Sequence, residues 1–174
     1  HLRFGTVPIM APYLINAADF VAVHNQSYVY NYDVLAGLKK GGTFLLNCTW
    51  TAEELDANLP GQLKRYIAQN DIKFYIIDAV KIAQEIGLGG RINMIMQSAF
   101  FKLADVIPLE TAVKHLKEAV EHSYGKKGQN IVDMNNAAID QGINAIVAVE
   151  VPAAWANAED SKLAAETGNE FVDQ

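Results

Sequence analysis

The chain has 174 residues, 51% hydrophobic and 20% charged, with 14 Lys+Arg against 20 Asp+Glu for a formal charge of −6. That length suits one domain, or one domain with a tail, around a single core; the composition excludes a disordered or collagen-like chain. The negative balance gives no broad electrostatic footprint for nucleic acid or anionic lipid, and no apolar run approaches the ~20 residues that span a bilayer.

Residues 1–18 are apolar with breakers at Gly5, Pro8 and Pro12 and show no clean period. Residues 19–25 form a β-branched and aromatic run ending in His24-Asn25, which predicts a buried strand. A short helix is expected over 32–40, stopped by Gly41-Gly42 behind Lys39 and Lys40. Thr43–Asn47 predicts a second strand. Thr51 and Glu54 have the spacing of a capping box, so a helix should start at 52. Pro60 interrupts it, and the helical pattern resumes over 61–69 with Leu63, Tyr66 and Ile67 on one face. Lys73–Asp78 predicts a third strand, Asp78 being placed to cap a helix over 79–86. Alternating strands and helices argue for βαβ units, and hence for an α/β fold of three layers, α/β/α, with a mainly parallel sheet.

The second half reads as helical: 92–105, 109–124 and about 128–147. In the middle segment Val113, Leu116, Val120 and Tyr124 form the apolar stripe. Gly142 weakens the last helix and is a candidate break. From Val151 the chain becomes Ala-rich and then acidic, so residues 151–174 read as a linker or a strap lying on a neighbouring domain.

Cys48 is the single cysteine, which rules out an intrachain disulfide and favours a reducing compartment. One thiolate also cannot hold an iron–sulfur cluster. The opening His1-Leu2-Arg3-Phe4-Gly5 has neither Met nor a signal-peptide pattern, and reads as the middle of a longer chain, so a fragment is expected.

In open parallel sheets, ligands gather beyond the carboxyl ends of the strands. Here those ends carry His24-Asn25, Asn47-Cys48 and Asp78, whose plainer duties are closing turns and capping helices. The segment Gly87–Asn93 joins two helices. It reads either as a C-cap followed by a tight turn or as a phosphate cradle, with backbone N–H groups and Arg91 beside a helix start. It lacks the G-x-G-x-x-G spacing and follows a helix, so it is no dinucleotide fingerprint. Asn93 and Asn135 are amides at or near helix starts; they serve as caps or buried satisfied amides, or they bond a polar ligand such as an adenine or a pantetheine amide. His115, Glu118 and His122 share a helix face opposite the apolar stripe, which reads as a solvated face and not a metal site. Met94 and Met96 read as core, and Cys48 as a small apolar residue. No catalytic group and no metal site is visible.

The runs HLRFG, ADFVAVHN, GGTFLLN, FYIIDAVKIAQEIGLGGRINMIMQSAFFKLADVIP and YGKKG closely resemble the pyruvate:ferredoxin (flavodoxin) oxidoreductase family, in the domain equivalent to the separate gamma subunit of 2-oxoacid oxidoreductases. The resemblance covers roughly residues 1–150. It implies an enzyme that decarboxylates pyruvate on thiamine diphosphate with magnesium, passes electrons through 4Fe-4S clusters to ferredoxin or flavodoxin, and gives the acetyl group to coenzyme A. It also implies that the thiamine site and clusters lie on other domains, and that a homodimer in the cytoplasm or a reducing organelle is the working form. This domain would receive coenzyme A, with Asn93 and Asn135 on two of the family's contact positions; Gly90 and Arg91 are added from the residues themselves. Family members carry a glycine-rich DGTVGANK-type segment and a lysine pair ahead of HLRFG, and this sequence starts after them. Weak coenzyme A binding by the chain alone, or none at all, and loss of the first strand of the sheet, are therefore expected. Two other readings remain open: a structural module that braces the thiamine domains, and a free-standing gamma subunit acting on another 2-oxoacid.

Overall fold

A computed structural model describes the backbone of residues 14–17 and the backbone and side chains of residues 19–160. The expectations for residues 1–13 and 161–174 lie outside the described residues. The sheet has five strands in the order β1 (Leu14–Ala17), β2 (Phe20–Val23), β3 (Thr43–Asn47), β4 (Lys73–Ile77) and β5 (Val147–Ala148). β1 and β2 form a tight antiparallel hairpin in which Ala17 faces Phe20, whereas β2 and β3 run parallel from Phe20 opposite Thr43 to Val23 opposite Leu46. Lys73 N–H donates to the Gly42 carbonyl at 2.8 Å, so β4 starts beside the start of β3, as a parallel neighbour does. The chain is thus an α/β protein with a mainly parallel sheet and a helical second half. β1 and β5 carry too little sequence to announce themselves; pairing to their neighbours in the sheet makes them strands.

Two compact units divide the described chain, one of residues 14–76 with 148–160, the other of 77–147. In the first, Val21, Val23, Phe44, Leu46, Phe74 and Ile76 from alternate strand positions form the core with Leu55, Leu59, Leu63 and Ile67. Ala22 and Leu45, on the opposite sheet face, are equally buried. Both faces of β2 and β3 are therefore withdrawn from water, which is why these strands read as unbroken apolar runs. Phe44 and Phe74 stack with ring centroids 5.0 Å apart.

The expected helix over 32–40 is not formed. One helical turn, α1 (Tyr28–Asn31), precedes it, begun by Asn25, whose Oδ1 accepts from the Ser27 N–H at 2.9 Å. Tyr32 is extended, and 33–38 is a pair of turns, Ala36 N–H to Asp33 O and Leu38 N–H to Leu35 O, leading through Gly37 at φ +84°. The helix-like spacing of Val34, Leu35 and Leu38 reflects their burial and not a helix. The capping box does form: Thr51 Oγ1 accepts from Glu54 N–H and Glu54 Oε1 from Thr51 N–H, opening α2 (Ala52–Asn58). Pro60 separates it from α3 (Gly61–Gln69).

In the second unit α4 (Ala79–Ile86) starts under Asp78, whose Oδ1 accepts from Lys81 N–H at 3.1 Å. It is followed by α5 (Asn93–Ala104), α6 (Leu109–Tyr124) and α7 (Gln129–Asn144). Leu116, Val120, Val132 and Ile139 are their shared core, with Met94, Val113 and Tyr124 at its margin. Gly142 does not break α7. A Cβ there would overlap Ser98 Oγ and the Ile95 carbonyl, so glycine is what lets α7 lie against α5.

Candidate functional site: the turn before α5

The glycine turn is built from the end of α4 outward. Gly87 takes a left-handed φ of +106°, and the N–H groups of Gly87 and Leu88 both return to the Ala83 carbonyl, at 3.0 and 2.8 Å. That closes the helix with a glycine cap. Leu88 is buried and pins the turn, while Gly89, Gly90 and Arg91 are exposed. Arg91 N–H and Nε both donate to the Leu88 carbonyl, at 3.2 and 3.0 Å. These bonds aim the guanidinium and leave its two Nη groups without a partner among the described residues.

α5 begins with Ile92 as its cap residue, and no side chain caps it. The N–H groups of its first turn have no carbonyl four residues back to accept them, so the positive end of the helix opens at the exposed Asn93. A Cβ placed on Gly90 would meet nothing within 4 Å, and Gly90 is not at positive φ. Neither backbone conformation nor packing within the described chain therefore requires glycine there. Open space, unspent N–H donors and a held guanidinium form a surface that suits a phosphate or another anionic oxygen.

Gly90, Arg91 and Asn93 are thus brought together by one turn. Asn135 is placed differently, inside α7 almost two turns from its start. It is 6% exposed, and its Nδ2 donates to Ile131 O at 2.9 Å, back along its own helix. That bond uses one donor and leaves the carbonyl end of the amide for other partners. Its neighbour carries no signal of its own in the sequence: Asn136 Oδ1 is buried with no hydrogen-bond partner among the described residues. An Asn-Asn pair in an amphipathic helix was the available signal, yet nothing in its spacing told which of the two would lack a partner.

The strand ends mostly serve the fold. Asn47 Nδ2 donates to His24 O at 2.8 Å, Asn25 closes the turn into α1, and Asp78 caps α4. Cys48 is buried. His24 is the exception: it is 8% exposed, its Nδ1 has no partner among the described residues, and burial holds its pKa below the usual 6.5. His115 and Glu118 form an exposed pair at 3.5 Å on the solvated face of α6, where His122 is exposed as well. No helix among the described residues is long and apolar enough to cross a membrane.

The fold is shared with a pyruvate oxidoreductase subunit, PORC, from Thermotoga maritima, at a TM-score of 0.60 and 20% identity over 78% of this chain and 67% of that one. This defines the class: an α/β domain of the kind found as a separate subunit in that protein. The model of the family described as pyruvate ferredoxin/flavodoxin oxidoreductase matches residues 1–145, and the chain belongs to that family. It is 64% identical to a pyruvate-flavodoxin oxidoreductase of Enterobacter agglomerans, over 92% of this chain and 14% of the relative. It is 55% identical to a pyruvate:ferredoxin oxidoreductase of Moorella thermoacetica, over 99% and 15% respectively. A mitochondrial NADP-dependent pyruvate dehydrogenase of Euglena gracilis is 48% identical over 100% of this chain and 10% of its own length. The chain therefore spans about one seventh of the first two of these relatives.

Proposed function

We propose that this chain is the coenzyme A-receiving domain of an enzyme that oxidatively decarboxylates pyruvate, with residues 1–150 as the domain and 151–174 as its connection to the next. The names of the relatives support the oxidoreductase reading. The single observation that supports coenzyme A at this domain is the open turn over Gly90, flanked by the Arg91 guanidinium and the uncapped start of α5. Its residues suit the anionic end of coenzyme A: Arg91 would pair with a phosphate, the first-turn N–H groups of α5 would donate to another of its oxygens, and Asn93 and Asn135 would bond amide or adenine groups. When bound, coenzyme A would supply the thiol that takes the acetyl group. This domain would bind and orient the carrier, with no general acid or base of its own. In the complete enzyme, thiamine diphosphate with magnesium and the 4Fe-4S clusters would lie on other domains. Ferredoxin or flavodoxin would be the electron partner, and a homodimer in the cytoplasm or a reducing organelle the working form.

The test separates binding from bracing. In the full-length enzyme, Arg91→Ala removes a charged bond of about 1.5–3 kcal/mol to phosphate and should raise KM for coenzyme A roughly 10- to 100-fold. Gly90→Val should do the same by filling the open space. Neither should change the thermal midpoint, because neither position is packed. Unchanged KM in both variants would remove coenzyme A from this turn. A fall in thermal midpoint with KM intact would favour the bracing module instead.

A further inference from the structure

After β5 the chain comes back to the sheet-containing unit, and α3 takes hold of it. Trp155 is 3% exposed and joins the core of that unit, its ring 6.4 Å from Phe74. Its Nε1 donates to Asp56 Oδ1 at 2.8 Å, and Lys64 Nζ bonds the same oxygen at 3.2 Å while lying 6.0 Å from the indole ring. Beyond Trp155 the grip passes to main-chain atoms. Gln69 Nε2 donates to Ala156 O at 2.7 Å, Arg65 Nη1 to Ala158 O at 2.6 Å, and Arg65 Nη2 to the Asp160 carboxylate at 3.2 Å. At the start of α3 a Cβ on Gly61 would overlap the backbone of Glu159.

The order of these contacts has a direction. Residues 156 to 160 meet Gln69 first, Arg65 next and Gly61 last, so the segment runs antiparallel to α3 from its last turn to its first. Residues Ala153–Asn157 form a short 3-10 helix and Ala158 after it is extended, so what lies along α3 is the end of that helix followed by open chain. Two of the bonds go to carbonyls, which any sequence in the segment would supply. A solvated linker would need neither Gly61 nor the Arg65–Gln69 pair, one helical turn apart on the same face.

We infer that α3 is a clamp for the departing chain: it holds residues 156–160, the end of a short 3-10 helix (Ala153–Asn157) and the residues after it, antiparallel to its own axis, so that the chain passes residue 160 at the N-terminal end of α3. This is independent of the coenzyme A reading. The test is hydrogen exchange of the full-length enzyme in the parent, in an Arg65→Ala/Gln69→Ala variant and in Gly61→Ala. Losing the clamp should speed exchange over residues 154–160, where Ala158 N–H is held by Trp155 O, by about tenfold or more, while β2 and β3 stay within about twofold of the parent. The double variant touches no buried core side chain, so it remains informative if Gly61→Ala fails to fold. Unchanged exchange over 154–160 in the double variant would overturn the clamp. Equal loss of protection across β2–β4 would overturn it too, since Arg65 and Gln69 would then belong to the core and not to the segment.

Discussion

In the sheet-containing unit, large rings and branched aliphatics meet across long stretches of sequence: Phe44 on Phe74, Phe74 on Trp155, and Leu55, Leu59 and Ile67 beneath them. Among the described residues the helical unit is one continuous stretch of chain, and two of its helices approach closely through a glycine, Gly142 against Ile95 and Ser98. The first is closed by residues that return from far along the chain; the second is closed by neighbours. The polar groups divide in the same way. Arg65, Gln69, Lys64 and Asp56 are all committed to holding the returning chain, whereas the Nη groups of Arg91, the exposed Asn93 and the first N–H groups of α5 have no partner among the described residues. Groups that a fold does not use are the ones available to a ligand, so the helical unit is where binding is expected and the sheet unit is where the chain is held.

The largest way to break this comparison is to empty the Trp155 site. Trp155→Ala should cost about 3–5 kcal/mol from lost burial and the cavity left behind, with Asp56 also losing a donor. Hydrogen exchange should then accelerate across β2, β3 and β4 more than across α6 and α7. Next comes Gly142→Ala, where the added methyl must displace the Ile95 backbone as well as Ser98 Oγ. A penalty of about 1–3 kcal/mol or more is expected, appearing first as lost protection in α5 and α7. If both substitutions lower protection evenly over all residues, the two regions do not differ in the way described. A smaller effect sharpens the picture: Thr51→Ala removes one half of the capping box and should cost about 1 kcal/mol by chemical denaturation, confined to α2 in exchange.

The same division explains what could be read without coordinates. Local chemistry was legible where it acts locally. Thr51 with Glu54, Pro60 between two helices, Asp78 ahead of α4 and Gly87 behind it all lie within a few residues of what they control. So does the turn that groups Gly90, Arg91 and Asn93. The residues that failed the local reading answer to distant partners. Val34, Leu35 and Leu38 have helical spacing because a core needs them, while Gly37 keeps the chain in turns. Gly142 looks like a helix breaker until Ile95 and Ser98 are placed against it. Trp155 sits in an Ala-rich stretch, and only the fold brings Asp56 and Phe74 to it. Asn135 is intermediate: its helix was legible, but its back-bond to Ile131 and the unpartnered oxygen of Asn136 depend on which way α7 faces.

The last expected effect concerns pH, and it separates two groups within the sheet-containing unit. His24 has its pKa lowered by burial, so the folded chain resists the proton that the unfolded chain accepts near 6.5. Stability is then full above about pH 6.5 and falls as the pH drops below it, by at most about 1.4 kcal/mol per pH unit for one proton, until the folded pKa is passed. Asp56 is lowered for a different reason: side-chain hydrogen bonds from Lys64 and Trp155 favour its charged form. Its contribution is present above the ordinary carboxylate value of 3.8 and is lost as pH falls through the lowered pKa. Denaturation measured from pH 8 to 3 should therefore show two separate declines. His24→Gln, which cannot take the proton, should flatten the one just below pH 6.5 and leave the lower one unchanged, while Asp56→Asn should do the reverse. A His24→Gln profile parallel to the parent between about pH 6.5 and 5 would mean that the Nδ1 of His24 gains a partner in solution, and that the end of β2 is not the dry edge it is here.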